Sequence, residues 1–534
     1  MSRQPNFLLI LVDEQRAARP YDPPQALPAQ QRLAARGLSM QRHYTAATAC
    51  APSRTTLFTG HYPSLHGVTQ TDGLAKDATA VRWLTPGSLP TLGDFLRAAG
   101  YQTHYRGKWH ISHADLLDAH RKSIPTNDKQ GRLLPDNIAA YRAADPLAPF
   151  GFAGWIGPEP HGANPANTGF VRDRLFADQV IDLLGQLGAE PRGDAKPFFV
   201  VASLVNPHDI AVYSGLWSRL WGFPWPDETP PEIPPPPTAD EDLSTKPRCQ
   251  KDYVDKYWRI LLRQLPTARY RRFYFWLQQL VDEQVGRICD ALHAAGLGDD
   301  TIVIFTSDHG DLLGAHGGMH QKWHNAYEET IRVPLIFSNP GLFPQPRVSS
   351  QLTSHVDLLP TVLGLAGLDP ATLRQQLSRT HSTVAAPVGR DLSALVREPA
   401  VAAEPAPARS DEVVYFMTDD QISDGGSWLE FGRLMLPYRP VIQPAYVETV
   451  VARLGADPRT WKLSRYFDGK DGLKPDEFEL YCLDDDPLER RNLANLAHLT
   501  DETHRTRAQL ESLLERCRRE RRLAPPITAS LHTR

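Results

Sequence analysis

The chain has 534 residues, and 58 Lys and Arg against 62 Asp and Glu give it a formal net charge of −4. So small a charge argues against a protein that covers itself with the phosphates of nucleic acid. A hydrophobic content of 41% argues against a disordered chain or a membrane bundle. We therefore expect a soluble globular protein with no nucleic-acid or membrane partner.

The cysteines and the N-terminal apolar run bear on the compartment. Five cysteines, at positions 50, 249, 289, 482 and 517, are few and scattered, so no disulfide framework is expected. The run Phe7–Val12 is too short for a signal-peptide core or a bilayer span, and Asp13 follows it directly. We interpret the run as a buried strand and expect a cytoplasmic protein.

Short β-rich runs alternate with helix-like stretches, which predicts an α/β fold with a mostly parallel sheet covered by helices on both faces. Amphipathic helices are predicted at Ser88–Gly100 and Tyr270–Ala295. Residues 112–170 and 214–250 lack clear periodicity and predict long loops at the rim of a site. Strands are predicted at Phe7–Val12, Tyr101–Tyr105, Phe198–Val205, Thr301–Thr306 and Val333–Phe337.

The division into domains rests on one linker signal. The segment Pro399–Pro407 is rich in Ala and Pro, and no regular element fits it. We therefore expect a large α/β domain over residues 1–400 and a smaller domain over residues 401–534, with an antiparallel sheet and a helix.

Polar side chains follow several predicted strands at their carboxyl ends. Asp13 and Glu14 follow the first strand, His208 follows the strand that ends at Val205, and Asp308 and His309 follow a later one. In open parallel sheets the site lies beyond this edge, so these groups are expected to converge. The strand Tyr101–Tyr105 leads likewise to Lys108 and His110, which an extended segment would present on one side.

The segment Cys50–Gly60 carries the clearest chemical signal. Pro52 suits the first turn of a helix and Gly60 its end. Cys50 is therefore predicted at a helix N-terminus, where unpaired amides and the helix dipole favour negative charge. A cysteine in that position could be a thiolate nucleophile with a low pKa.

This segment also resembles a known signature. Cys50-Ala-Pro-Ser-Arg54, with Thr59-Gly60 downstream, is similar to the Cys-x-Pro-Ser-Arg motif of type I sulfatases in the alkaline phosphatase superfamily. In that family a maturase oxidises the cysteine to formylglycine. Further matches occur in the expected order at Asp13, Gly107–His110, Ser307–Gly310, Lys322 with Arg332–Leu335, and Glu479–Leu493.

The resemblance implies an arylsulfatase-like sulfuric ester hydrolase. A sulfate monoester is surrounded by negative oxygens, so its site needs positive charge, a strong nucleophile and an acid. Residue 50, as hydrated formylglycine, would attack sulfur, and Arg54 would stabilise it. Lys108 and Lys322 would bind the sulfate oxygens.

The resemblance and the chemistry together assign two proton transfers. His208 is the candidate that would protonate the departing alcohol. His110 would take the proton of the second hydroxyl of residue 50, so that sulfate is eliminated and the aldehyde is restored.

The resemblance also implies one divalent metal ion. Asp13, Asp308, His309 and residue 50 would hold it, and Glu14 is a further candidate where many sulfatases have a second aspartate or an amide. His309 stands where many sulfatases have asparagine. Because imidazole suits transition metals better than calcium, both manganese and calcium are candidates.

Alternatives remain at this stage. Similar machinery stabilises a transferring phosphoryl group, so a phosphonate monoester or phosphodiester hydrolase is the first alternative, and an inactive anion-binding relative is the second. His316, His320 and His324 surround Lys322 and are either substrate contacts or surface residues. The expected partners are a small sulfate ester and the maturase; a homo-oligomer is left open.

Overall fold

The computed structural model describes residues 4–72, 76, 81–160, 164–191, 195–212, 233–261, 268–397, 412–423, 428–431, 434–437, 440–455, 458–469, 472–498 and 500–524. The predicted linker at residues 399–407 lies outside the described residues, as do residues 214–232 of the second predicted rim loop. The predicted boundary between residues 400 and 401 therefore stays a prediction.

A seven-stranded sheet forms the centre of the larger part of the chain. Its strands are β1 (Asn6–Asp13), β2 (Gly37–Tyr44), β3 (Gln102–Gly107), β4 (Phe198–Pro207), β5 (Thr301–Ser307), β6 (Leu335–Ser338) and β7 (Arg347–Ser354). Their order is β3-β4-β1-β5-β6-β2-β7. Strands β3, β4, β1 and β5 run parallel, which confirms the predicted fold class, whereas β6 is antiparallel to both of its neighbours.

Helices cover the sheet on both faces and connect its strands. They are α1 (Pro28–Ala35), α2 (Cys50–Thr59), α3 (Leu92–Ala98), α4 (Pro135–Ala144), α5 (Gly169–Ala189), α6 (Arg248–Leu261), α7 (Ala268–Ala294), α8 (Leu358–Leu365), α9 (Pro370–Leu377) and α10 (Asp501–Arg521). Short helical turns lie at Pro63–His66, Ala315–Gly318, Glu328–Ile331 and Ser393–Arg397. Short 3₁₀ turns lie at Ala148–Phe150, Pro165–Asn167, His208–Val212, Leu243–Thr245, His355–Asp357 and Leu496–His498.

Strand β1 is buried along its whole length because both of its faces are covered. Leu8, Ile10 and Val12 pack in one core with α1, α5 and α7. The alternate residues of β1 pack in a second core with α2, α3 and α8. Successive side chains of β1 point alternately into these two cores. Residues 7–12 of the strand therefore form a continuous apolar run without polar interruptions.

Both predicted helices are present, and one predicted loop contains an additional helix. The helix predicted over Tyr270–Ala295 is confirmed as α7, and the helix predicted over Ser88–Gly100 is the shorter α3, which begins after the capping box of Thr91. The prediction of a loop over residues 112–170 was wrong in part, because this segment contains α4. Helix α4 buries only Tyr141, so its sequence shows little apolar periodicity.

The described part of the chain contains no single helix that is long and apolar enough to cross a membrane. Two helical segments, His355–Leu365 and Pro370–Leu377, together reach this length and apolar composition, but the chain bends by 102° between them.

A second sheet follows near the C-terminus. Its antiparallel strands are β8 (Val413–Thr418), β11 (Tyr446–Leu454), β12 (Arg459–Phe467) and β13 (Glu477–Cys482), in the order β13-β12-β11-β8. A separate pair is formed by β9 (Trp428–Phe431) and β10 (Leu434–Pro437). Helix α10 packs on the four-stranded sheet through Leu510, Leu514 and Cys517, which confirms the predicted sheet and helix.

Candidate active site

Cys50 is the first residue of α2, as predicted, and is 1% exposed. Gly60 ends the helix with a left-handed φ of 69°. The Sγ atom of Cys50 lies 3.1 Å from Nε2 of His309 and 3.8 Å from Oδ1 of Asp13. The structure therefore brings together three predicted site residues that are distant in sequence.

Four side chains are arranged as a candidate metal site. Asp13, Cys50, Asp308 and His309 each offer a ligand atom, and these atoms lie within 4.8 Å of one another. Strands β1 and β5 are parallel neighbours, so their carboxyl ends deliver Asp13 and Asp308 to the same edge of the sheet. The Nδ1 atom of His309 lies 3.0 Å from the carbonyl oxygen of Gly310, a contact typical of metal-ligating histidines.

Arg54 is fully buried and binds both carboxylates. Its Nε donates to Asp308 and its Nη2 to Asp13, each at 2.9 Å. Its Nη1 donates to the carbonyl of Lys108 and to Ser203 Oγ, also at 2.9 Å. The observed contacts orient the carboxylates, and stabilisation of residue 50 by Arg54 stays a prediction. Ser203 was missed because it lies inside β4, in no motif.

Both predicted sulfate-binding lysines reach this centre. Lys108 Nζ lies 2.7 Å from Asp13, and Lys322 Nζ lies 3.1 Å from Glu14. Burial opposes the charged form, but Asp13 keeps the pKa of Lys108 above its usual value, and Cys50 and Glu14 do the same for the pKa of Lys322. Lys108 therefore pairs with Asp13, whose pKa is lowered, and Lys322 lies beside the buried Glu14.

Burial and neighbouring charges set the state of the acids. Burial alone would raise the pKa of Asp13, but Lys108, His208 and Arg54 lower it well below its usual value. Burial and the charge of Asp13 raise the pKa of Asp308. Burial, followed by Asp13, also raises the pKa of the Cys50 thiol, so the helix N-terminus does not produce the low-pKa thiolate considered from sequence.

Glu14 is fully buried, with a left-handed φ of 72°. Its carboxylate is not one of the four ligands above, although it lies within 4.8 Å of ligand atoms of Asp13 and His208. Burial raises the pKa of Glu14 well above its usual value despite Lys322, and the charge of Asp311 acts in the same direction. Metal ligation by Glu14 stays a prediction. Asp311 was missed, although it stands only three residues after Asp308.

The two predicted proton-transfer residues follow different strands, β3 and β4. His208 follows β4 and lies beside Asp13 and Glu14. His110 has a φ of 56° and its Nε2 lies 2.7 Å from Asp72. The backbone therefore leaves the extended conformation at His110, contrary to prediction. Gly107, at the end of β3, has a φ of 104° and lies against the backbone of Ser203.

The three histidines that surround Lys322 in the sequence are also buried. His316, His320 and His324 are 0%, 4% and 1% exposed, so their interpretation as surface residues was wrong. His316 contacts Glu241 and Glu329 and stacks on Tyr327 with ring centroids 3.5 Å apart. His316, Glu329 and Glu489 form a second group of potential ligands, but Arg19 and Lys462 already pair with these two acids. We interpret this group as a structural ion network.

Fold and site together define an α/β protein with a buried centre, at the carboxyl edge of its sheet, where acids and bases surround a single cysteine. The Sulfatase family model matches residues 5–368, more than half of the chain. The chain thus belongs to the sulfatase family of hydrolases.

Individual relatives agree with this assignment. A choline-sulfatase from Rhizobium meliloti (strain 1021) is 27% identical over 382 residues, which cover 70% of this chain and 69% of the relative. A putative sulfatase from Bacteroides thetaiotaomicron superposes with a TM-score of 0.65 at 20% identity, over 98% and 96% of the two chains. A phosphonate monoester hydrolase from Silicibacter pomeroyi superposes with a TM-score of 0.61 at 20% identity, over 97% of this chain and 96% of that chain. The two structural matches establish a shared fold.

Proposed function

We propose that the protein hydrolyses a sulfate monoester of a small organic alcohol, after a maturase has oxidised Cys50 to formylglycine. One observation carries the proposal: Cys50 begins α2 within 3.8 Å of both Asp13 and His309, in a chain of the sulfatase family. The buried amino groups of Lys108 and Lys322 would supply the positive charge that sulfate oxygens require.

One divalent metal ion belongs to this proposal. Asp13, Asp308, His309 and an oxygen of residue 50 would hold it, and the converging donor atoms fit such an ion. When bound, the ion supplies positive charge that stabilises the sulfate oxygens. The carboxylate donors suit calcium and manganese alike, and the imidazole of His309 supports manganese.

The first step transfers the sulfuryl group to residue 50. One hydroxyl of the hydrated aldehyde loses its proton to water and attacks sulfur in line, and the bond between sulfur and the ester oxygen breaks. His208 gives a proton to the leaving alcohol. Its position beside the carboxylate of Asp13, whose pKa is lowered, supports this role because negative charge stabilises the protonated ring.

The second step releases sulfate. His110 takes the proton of the remaining hydroxyl, and the bond between the residue 50 carbon and the sulfate oxygen breaks. The aldehyde is restored, and a water molecule hydrates it for the next cycle. The hydrogen bond between Asp72 and His110, at 2.7 Å, supports the role of His110 because a carboxylate orients the ring as a base.

A phosphonate monoester is the second candidate substrate. The same centre would stabilise the charge of a transferring phosphoryl group. A phosphonate monoester hydrolase from Silicibacter pomeroyi shares the fold of this chain, which supports this candidate.

The proposal extends to the compartment. All five cysteines are buried and form no disulfide, which supports a reducing cytoplasm. A cytoplasmic enzyme would meet small imported esters rather than sulfated polymers, so aryl, alkyl and choline-like sulfates are the first substrates to test.

The test uses protein produced together with a formylglycine-generating maturase. Sulfate release is measured with aryl, alkyl and choline sulfates, and an aryl phosphonate is assayed beside them. We expect release from at least one sulfate ester and none in Cys50→Ala. Dominant phosphonate hydrolysis would favour the second candidate. If fully oxidised protein hydrolyses none of these esters, the remaining interpretation is an inactive relative that binds anions.

A further inference from the structure

The segment before Cys50 is held from outside its own helix. A helix N-terminus usually has a side-chain acceptor at the residue before the first turn, but Ala49 stands there and has none. The backbone N–H of Ala49 instead donates to Oδ2 of Asp420 at 3.1 Å, and that of Ala51 donates to Thr71 Oγ1 at 3.2 Å.

Asp420 lies two residues beyond the end of β8 in the C-terminal sheet and is 1% exposed. The same Oδ2 accepts the backbone N–H of Thr71 at 3.0 Å. Its Oδ1 is paired with Lys76 Nζ, which also donates to the carbonyl of Thr71 at 2.6 Å. One buried carboxylate therefore connects the residue before Cys50 to the segment that caps the same helix.

Strand β8 reinforces this connection. The backbone N–H of Met417 donates to the carbonyl of Ala46 at 3.1 Å, and the hydroxyl of Thr418 donates to the carbonyl of Thr48 at 2.8 Å. With Asp420 and Ala49, these bonds fix residues 46–49 against the C-terminal sheet. Asp72, the next residue after Thr71, contacts His110.

We infer that Asp420 is a positioning residue for the reaction at residue 50, acting through Ala49 and Thr71. The inference rests on the proposed function. A nucleophile displaced by about 1 Å can lose about a hundredfold in rate. The described contacts of Asp420 include neither Lys108 nor Lys322, so its loss should lower kcat and leave KM nearly unchanged.

The test compares Asp420→Ala, Asp420→Asn and a matched control, Glu448→Gln. Glu448 is also a buried acid of the C-terminal sheet, and its partners are Tyr415 and the arginines at 465, 518 and 522. Mass spectrometry gives the aldehyde fraction of each protein, so that kcat is expressed per oxidised chain.

Asp420→Ala should lower kcat at least about tenfold, with KM within about threefold of the wild type. Asp420→Asn keeps an oxygen that accepts both amides, so it should restore most of kcat. Glu448→Gln should keep the wild-type kcat. An unchanged kcat in Asp420→Ala, no recovery in Asp420→Asn, or an equal loss in Glu448→Gln would overturn the inference.

The inference and the proposed function fail separately. If oxidised wild-type protein hydrolyses no sulfate or phosphonate ester, the proposed function fails. Crystal structures of the wild type and Asp420→Ala then decide the positioning role. A displaced backbone at residues 49–51 would support it, and an unchanged backbone would overturn it.

Discussion

Cys50 Sγ lies 3.1 Å from His309 Nε2, where the first turn of a helix meets the loop after a central strand. Arg54, one turn further along that helix, is ion-paired with Asp13 and Asp308 in the same centre. Breaking one partner of a buried ion pair is strongly unfavourable. Residue 50 and the two carboxylates are therefore held in one rigid arrangement.

Lys322→Ala should lower kcat/KM about a hundredfold, because a buried ammonium group that would face the sulfate oxygens is lost. Steady-state kinetics on the best sulfate ester measure the effect. Lys246→Ala is the matched control, since Lys246 is another buried lysine, paired with Glu241 and hydrogen-bonded to Tyr481. Equal losses in the two variants would contradict the role of Lys322.

His208→Ala should affect esters according to their leaving group. An alkyl alcohol needs a proton as it departs, so its hydrolysis should fall by about two to four orders of magnitude, whereas nitrophenyl sulfate should lose far less. His381→Ala, which changes a histidine paired with Asp94, should lower neither rate. The same loss for both leaving groups in His208→Ala would exclude His208 as the acid.

His110→Ala should separate alcohol release from sulfate release. If His110 removes the proton that expels sulfate, the variant should give a burst of alcohol stoichiometric with enzyme and then slow turnover. Rapid-quench kinetics measure the burst, and mass spectrometry should find sulfate attached to residue 50. Asp72→Asn should slow the same step less, by about three- to tenfold. A His110→Ala protein without a burst would be inconsistent with this assignment.

Metal removal should abolish hydrolysis without unfolding the chain. Protein dialysed against a chelator should regain activity with manganese or calcium, and the wild type should bind about one ion per chain. Elemental analysis should show a lower metal content in Asp308→Asn. Glu489→Gln, in the ion network around His316, should keep the wild-type content. Loss of metal from Glu489→Gln alone would move the site to that network.

His61 should make the folded protein sensitive to acid. Burial lowers the pKa of His61 from 6.5 to about 4, although a hydrogen bond with the backbone of Ala385 acts in the opposite direction. The unfolded chain therefore binds a proton below about pH 6.5, and the folded chain binds it only near pH 4. Stability should be full above pH 6.5 and fall by about 3 kcal/mol as the pH drops through that interval.

Urea unfolding of the wild type and His61→Gln, at pH 7 and at pH 4.5, measures this contribution. The free energy of unfolding should fall more in the wild type than in the variant. Parallel decreases in the two proteins would show that His61 is protonated equally in the folded and unfolded states.

The sequence predicts the centre of the sheet better than its edge. Strands β1 and β5 each contain a continuous apolar run, because helices bury both of their faces. Asp13 ends β1, and Asp308 follows β5. Strands β2 and β7 were not predicted. Polar residues such as Arg42 and Ser350 interrupt the apolar pattern of these strands. The two strands pair with each other although about 300 residues separate them in sequence.

The same distinction applies to the candidate site. Cys50 and Arg54 lie in one continuous motif, as do Asp308 and His309, so local sequence is sufficient to select them. Asp420 accepts a hydrogen bond from the backbone N–H of Ala49, which lies 371 residues away in sequence. Every residue except proline has a backbone N–H, so this contact leaves no pattern in the sequence. Such residues are found only once the fold has brought the segments together.

The central claim is that the aldehyde form of residue 50 performs the hydrolysis. Preparations made with increasing amounts of maturase would contain increasing aldehyde fractions, measured by mass spectrometry of the peptide that contains residue 50. The rate of sulfate release should rise in proportion to that fraction and extrapolate to zero for the pure thiol. Full activity in protein that contains only Cys50, or a rate independent of the aldehyde fraction, would contradict the account.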